Sequence, residues 1–128
     1  MNPLNVASLE ASKRLVDAGI VIETEAVWGF RDGIWTLFER EGIELEEVKK
    51  WIPAPCMAEV WRELPSKFRG ADIEVGRTVD GLTFAAYHTP PDYEDDFGDD
   101  IVSFRSVNPT DALIDLRIWI EEHIRREK

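Results

Sequence analysis

The chain has 128 residues, 44% of them hydrophobic and 32% charged, with 26 acids against 15 bases and a net charge of −11. A chain of this size buries roughly two-thirds of its unfolded surface, so the composition predicts one globular domain over residues 1–128 and excludes a disordered chain. The acidity argues against direct binding to nucleic acid or anionic lipid, no apolar run reaches the roughly 20 residues of a membrane span, and the lone Cys56 excludes an internal disulfide.

The opening Met1-Asn2-Pro3-Leu4-Asn5 has neither a basic nor an apolar region of the secretory kind, so a cytoplasmic setting is expected. A first helix is predicted from Asn5–Ser8 to Ala18, with Leu9, Ser12, Leu15 and Val16 at helical spacing and Gly19 as its stop. Two β-rich runs follow, residues 19–30 and 34–40, joined by Asp32-Gly33. Asp-Gly is a strong hairpin signal, because a type I′ turn requires positive φ at both central positions. That turn sets the register: Phe30 faces Trp35, Trp28 faces Leu37, Val27 faces Phe38 and Glu25 faces Arg40. Trp28, Phe30, Trp35 and Leu37 then share one face, and Val27, Ile34 and Phe38 the other. With both faces apolar, the hairpin is either covered twice or has one side waiting for a partner.

Residues 41–52 fit a short helix or a strand equally. Pro53-Ala54-Pro55 forces extended backbone, and Pro55 suits the first position of a short helix that turns Met57, Val60, Trp61 and Leu64 inward until Pro65. A second Asp-Gly turn, Asp80-Gly81, joins residues 72–79 to 82–89. It places Ile73, Val75, Arg77, Val79, Leu82, Phe84, Ala86 and His88 on the core face, opposite Glu74, Gly76, Thr78, Thr83, Ala85 and Tyr87. An acidic loop spans 90–100, residues 101–107 form a further strand, and a last helix starts at Asn108-Pro109 with Ala112, Leu113, Leu116, Trp119, Ile120 and Ile124 as its buried stripe. The expected order is α-β-β-α-β-β-β-α, an α+β fold with a mainly antiparallel sheet of about five strands and three helices.

Three stretches together resemble a group of small uncharacterised proteins often carried by bacteriophages and prophages. They are Ser12-Lys13-Arg14-Leu15-Val16-Asp17-Ala18-Gly19-Ile20, Ile52-Pro53-Ala54-Pro55 leading to Leu64-Pro65, and Asn108-Pro109-Thr110-Asp111-Ala112 running into Trp119-Ile120. The shared features are caps, turns and core stripes. The resemblance implies a mobile-element or accessory context and brings no activity, cofactor or catalytic residue with it.

Each candidate for chemistry has a structural counterpart. Cys56, at a helix start, could act as a nucleophile if His88 reached it, but no oxyanion or orienting motif accompanies the pair, and a packed thiol is preferred. Trp28, Phe30 and Trp35 could line a small-molecule pocket with Cys56 or His88 at its rim, although such aromatics more often form core. The acidic loop fails the EF-hand pattern, since placing Gly98 at its glycine position puts Tyr93, Phe97 and Phe104 where acids belong. A solvated loop is preferred there to a looser cation site, and Tyr93 and Phe97 could anchor a docking partner. No metal or cofactor is implied. Ile114 and Ile118 fall outside the last helix's main stripe and fit either an intrachain contact or an interface.

The leading expectation is a non-enzymatic accessory protein working through protein contacts, as a homodimer or with another partner. Its candidate interface comprises Ile114, Ile118, Val27, Ile34, Phe38, Tyr93 and Phe97. The competing expectations are a small-molecule binder or minor enzyme using the aromatic face, and an acidic DNA mimic that occupies a nucleic-acid-binding protein.

Overall fold

In the computed structural model, which describes residues 6–42, 50–89 and 100–126, Asp32 and Gly33 take φ values of 54° and 84°. These are the two positive values a type I′ turn demands. The turn joins β1 (Ala26–Arg31) to β2 (Ile34–Glu39) with Phe30 opposite Trp35, Trp28 opposite Leu37 and Val27 opposite Phe38, as the sequence predicts. Beyond the ladder the Arg40 N–H donates to the Glu25 carbonyl at 2.8 Å, which keeps those two residues in step.

Helix α1 (Leu9–Asp17) begins at Ser8, whose side chain accepts the Ala11 N–H at 3.1 Å. It ends in a Schellman motif: the Gly19 N–H reaches Val16 O at 2.9 Å, the Ile20 N–H reaches Leu15 O at 3.2 Å, and Gly19 supplies a φ of +76°. Val16 lies outward. Residues 20–25 alternate, with Ile20, Ile22 and Thr24 buried and Val21, Glu23 and Glu25 exposed, but the ladder begins only at Ala26.

The undecided stretch 41–52 divides. Arg40–Gly42 is a 3-10 turn, residues 43–49 lie outside the described residues, and β3 (Lys50–Pro53) pairs with β1. Next come α2 (Met57–Trp61), β4 (Lys67–Phe68), β5 (Ala71–Arg77), β6 (Thr83–His88), β7 (Asp100–Ser106) and α3 (Pro109–Arg126). The architecture is α+β and antiparallel, with three helices, but the expected sheet of about five strands is two sheets. Their orders are β2-β1-β3 and β4-β5-β6-β7. The two extra strands carry only four and two residues, and one holds Pro53, which belongs at a sheet edge.

The second hairpin corrects the predicted register. Its loop has three residues, Val79-Asp80-Gly81, with Gly81 at φ +87°, the Gly81 N–H on Thr78 O at 3.0 Å and the Thr78 N–H on Leu82 O at 2.7 Å. Ile73 therefore pairs with Tyr87, Val75 with Ala85 and Gly76 with Phe84. A one-residue slip sends every side chain of a strand to its other face. Ala85 and Tyr87 point into the core, Phe84, Ala86 and His88 point away from it, and Val79 is wholly exposed at the loop.

The main core joins Leu15, Ile20, Ile22, Val60, Ala85, Tyr87, Leu113, Ile114, Leu116 and Ile120, with Ile73, Val75, Val102, Phe104 and Trp119 packed against it. Helix α3 lies along the inner face of β6 and β7. Asn108 caps it by accepting the Thr110 N–H at 2.9 Å, and Asn108 Nδ2 donates to Val6 O at 2.9 Å. Ile124, expected in the stripe, is exposed. Helix α2 buries Val60 and Glu59 and leaves Met57 and Trp61 outward, contrary to the predicted stripe, because the Glu59 carboxylate is committed to backbone donors. A smaller cluster of Val6, Ala26 and Ala54, with Trp28, Leu37 and Cys56 against it, fastens the three-stranded sheet to the body.

Candidate functional site

Trp28, Phe30 and Trp35 of the first hairpin make intrachain contacts while remaining half-buried. Trp28 donates its indole N–H to Ala7 O at 3.0 Å, and Phe30 meets Trp35 edge-to-face at 5.4 Å. The Lys13 ammonium sits 5.2 Å from the Trp35 ring. Cys56 is half-buried as the N-cap residue of α2, and its N–H donates to Glu59 Oε1 at 2.8 Å. His88 is on the outer face of the four-stranded sheet, whereas α2 and α3 cover the inner face. The thiol–imidazole pair considered from the sequence is thus separated by the sheet.

Of the expected interface residues, Ile114 is fully buried and is an intrachain contact. Ile118 is half-buried and lines an open groove of about 420 Å³ with Arg14, Asp115, Phe104 and Trp119. Arg14 Nη2 and Asp115 Oδ1, 2.8 Å apart, bridge that groove from α1 to α3. Val27 is buried and Phe38 half-buried on the face that also carries Ile34, Trp51 and Pro53. Ile34 is 64% exposed and Trp51 39%, and the Arg40 guanidinium lies 5.3 Å from the Trp51 ring. Tyr93, Phe97 and the acidic stretch 90–99 lie outside the described residues.

The outer face of the four-stranded sheet brings together a group that sequence reasoning missed. Glu74 on β5, His88 on β6 and Asp100 on β7 present ligand atoms that all lie within 4.8 Å of one another. His88 Nδ1 and Asp100 Oδ1 are 2.7 Å apart. The two-residue turn expected at Asp80-Gly81 puts Glu74 and His88 on opposite faces, and only the three-residue loop unites them. Asp100 arrives by an irregularity of the ladder. Tyr87 pairs with Val102 and His88 with Asp100, so Ile101 is the extra residue of a bulge. The one local signal in the sequence is Thr78, whose hydroxyl accepts the Leu82 N–H at 2.9 Å and also bonds the Asp80 carboxylate, closing the longer loop.

Beside the group, an open groove of about 530 Å³ is lined by Arg77, Thr78, Phe84, Asp100, Ser103 and Arg105. At its mouth the Thr78 hydroxyl, Asp80's own backbone and the Arg105 charge hold the Asp80 carboxyl below its ordinary range. This face offers one imidazole, the three carboxylates of Glu74, Asp80 and Asp100, and two guanidinium groups at an accessible surface.

No family model, curated protein or solved structure matches the chain. No helix among the described residues is long and apolar enough to cross a membrane.

Proposed function

We propose that this chain is a cytoplasmic accessory protein that works by binding protein through the outward face of its three-stranded sheet, with a second copy of itself as the occupant to test first. The observation that carries the reading is the exposure of Ile34 and Trp51 on one face, 64% and 39%, beside the half-buried Phe38 and Pro53. Large apolar side chains grouped on one face and rimmed by charge mark contact surfaces more often than chance exposure does. Arg31 and Arg40 provide that rim. The mobile-element or accessory setting implied by the sequence resemblance is compatible with such a role.

The supporting experiment is size-exclusion chromatography with light scattering across a hundredfold concentration range, on the native chain and on Ile34→Glu/Trp51→Glu. The reading expects a dimer that the double substitution converts to monomer while the far-ultraviolet circular dichroism stays unchanged. A native chain that is monomeric throughout removes the self-association reading. A dimer that survives both substitutions removes this face as its interface.

A further inference from the structure

We propose that Glu74, His88 and Asp100 form a binding site for a divalent transition-metal ion, with zinc as the best-matched occupant. The donor set comes first. One imidazole nitrogen and two carboxylate oxygens suit zinc, manganese or cobalt, whereas calcium and magnesium sites draw on oxygen alone. The presence of His88 separates this group from the many exposed acidic clusters that hold nothing.

Geometry comes second. Two ligands each about 2.1 Å from one ion stand roughly 3.0–3.4 Å apart at tetrahedral or octahedral angles. His88 Nδ1 and Asp100 Oδ1 are hydrogen-bonded at 2.7 Å, so an ion between them has to part the pair by a few tenths of an ångström, and all three donors already lie within 4.8 Å of one another. Glu74, exposed at the surface, is the third donor of that set. Ladder partners hold the donors in place: Glu74 pairs with Ala86, Ala86 pairs with Ser103, and the bulge at Ile101 turns Asp100 toward His88. With a regular ladder His88 would face Ile101, so the irregularity is what supplies the second carboxylate. The buried methyl group of Ala86 forms a low floor beneath the longer side chains.

Charge and access come third. Two carboxylates flank one imidazole in a chain of net charge −11, an arrangement that a dication relieves even with Arg77 and Arg105 lining the adjoining groove. Asp100 also lines the open 530 Å³ groove, which gives the ion an entry path. The site lies on the four-stranded sheet and does not depend on the contact face proposed above.

The test is calorimetric titration of zinc into the full chain, with cobalt absorption spectra in parallel. The native chain is expected to bind one equivalent at this site. His88→Gln and Asp100→Asn should each weaken binding by at least about 10-fold with unchanged circular dichroism, and Glu74→Gln by a smaller factor. Asp95→Asn/Asp96→Asn should leave it unaltered. Absence of stoichiometric binding by the native chain overturns the proposal and leaves the group as an ion-pair network. Equal binding by His88→Gln, or a cobalt–thiolate band that vanishes in Cys56→Ser, also overturns it by placing the ion elsewhere.

Discussion

Tyr87 donates its phenolic O–H to the Pro65 carbonyl oxygen at 2.7 Å, tying the middle of the four-stranded sheet to the segment after α2. The side chain is fully buried, and that burial, opposed in part by the Arg117 charge, pushes the phenol up from 10.0 to about 12. The unfolded chain therefore releases this proton first as pH rises. Stability from Tyr87 is whole below pH 10 and is lost as pH climbs through about 12. Over that window the Tyr87 contribution should lower the unfolding free energy, measured in urea, by on the order of 2 kcal/mol, a decline that Tyr87→Phe should lack. At pH 7 the phenylalanine variant should cost about 1 kcal/mol for the lost hydrogen bond. Equal alkaline slopes in the two proteins would assign the decline to other groups.

Glu59 works as a backbone clamp. Its Oε1 accepts the Cys56 N–H at 2.8 Å and its Oε2 accepts the Glu25 N–H at 3.0 Å, so one carboxylate caps α2 and anchors the segment entering β1. At 7% exposure the residue cannot be replaced by water without rearrangement. Glu59→Ala should lower unfolding free energy by about 2–3 kcal/mol, because hydrogen bonds to a charged acceptor are lost and two donors are left unpaired. Glu59→Gln keeps one acceptor and should recover roughly half. Denaturant unfolding of the three proteins at one pH measures both steps.

Ile114 and Ile34 should behave in opposite ways. Ile114 is fully buried in the main core, so Ile114→Ala should cost about 2–4 kcal/mol and leave any association state intact. Ile34 is exposed, so Ile34→Ala should stay within about 0.5 kcal/mol of the native stability. Chemical denaturation and light scattering on the two variants separate core from contact surface.

Where local chemistry decides the structure, the sequence is readable. Asp32-Gly33 specifies a two-residue turn, and every pair of the first ladder follows from it. Asn108-Pro109 specifies the start of α3, and Ser8 with Gly19 bounds α1. Asp80-Gly81 reads the same way but folds differently, because the Thr78 hydroxyl bonds around the loop and lengthens it by one residue. That single residue turns Tyr87 inward and His88 outward, and it concealed the group formed with Glu74 and Asp100. The short strands β3 and β4 exist only through their pairing with β1 and β5, a tertiary effect that no window of four or two residues carries. The outward Met57 and Trp61 of α2 have a similar origin, since a buried glutamate at the helix start outweighs their apolar spacing, while Val60 and Leu64 of the expected stripe do pack inward.

Gly76 and Phe84 are ladder partners on the outer face of the four-stranded sheet, and the Phe84 ring lies directly over the glycine. A methyl group at position 76 would come within 2.7 Å of Phe84 Cε1 and 2.8 Å of Cζ, so the ring must move if the site is filled. A strand glycine otherwise costs about 0.5–1 kcal/mol relative to alanine, and a cross-strand aromatic offsets this by covering the exposed backbone. Gly76→Ala should therefore destabilise the native chain by about 1 kcal/mol through displacement of the ring, yet stabilise Phe84→Ala by about 0.5 kcal/mol. The double-mutant cycle should give a coupling of roughly 1–1.5 kcal/mol between the two positions. A coupling near zero would mean that the ring swings aside freely, and that Phe84 does not hold the floor of the groove beside Asp100.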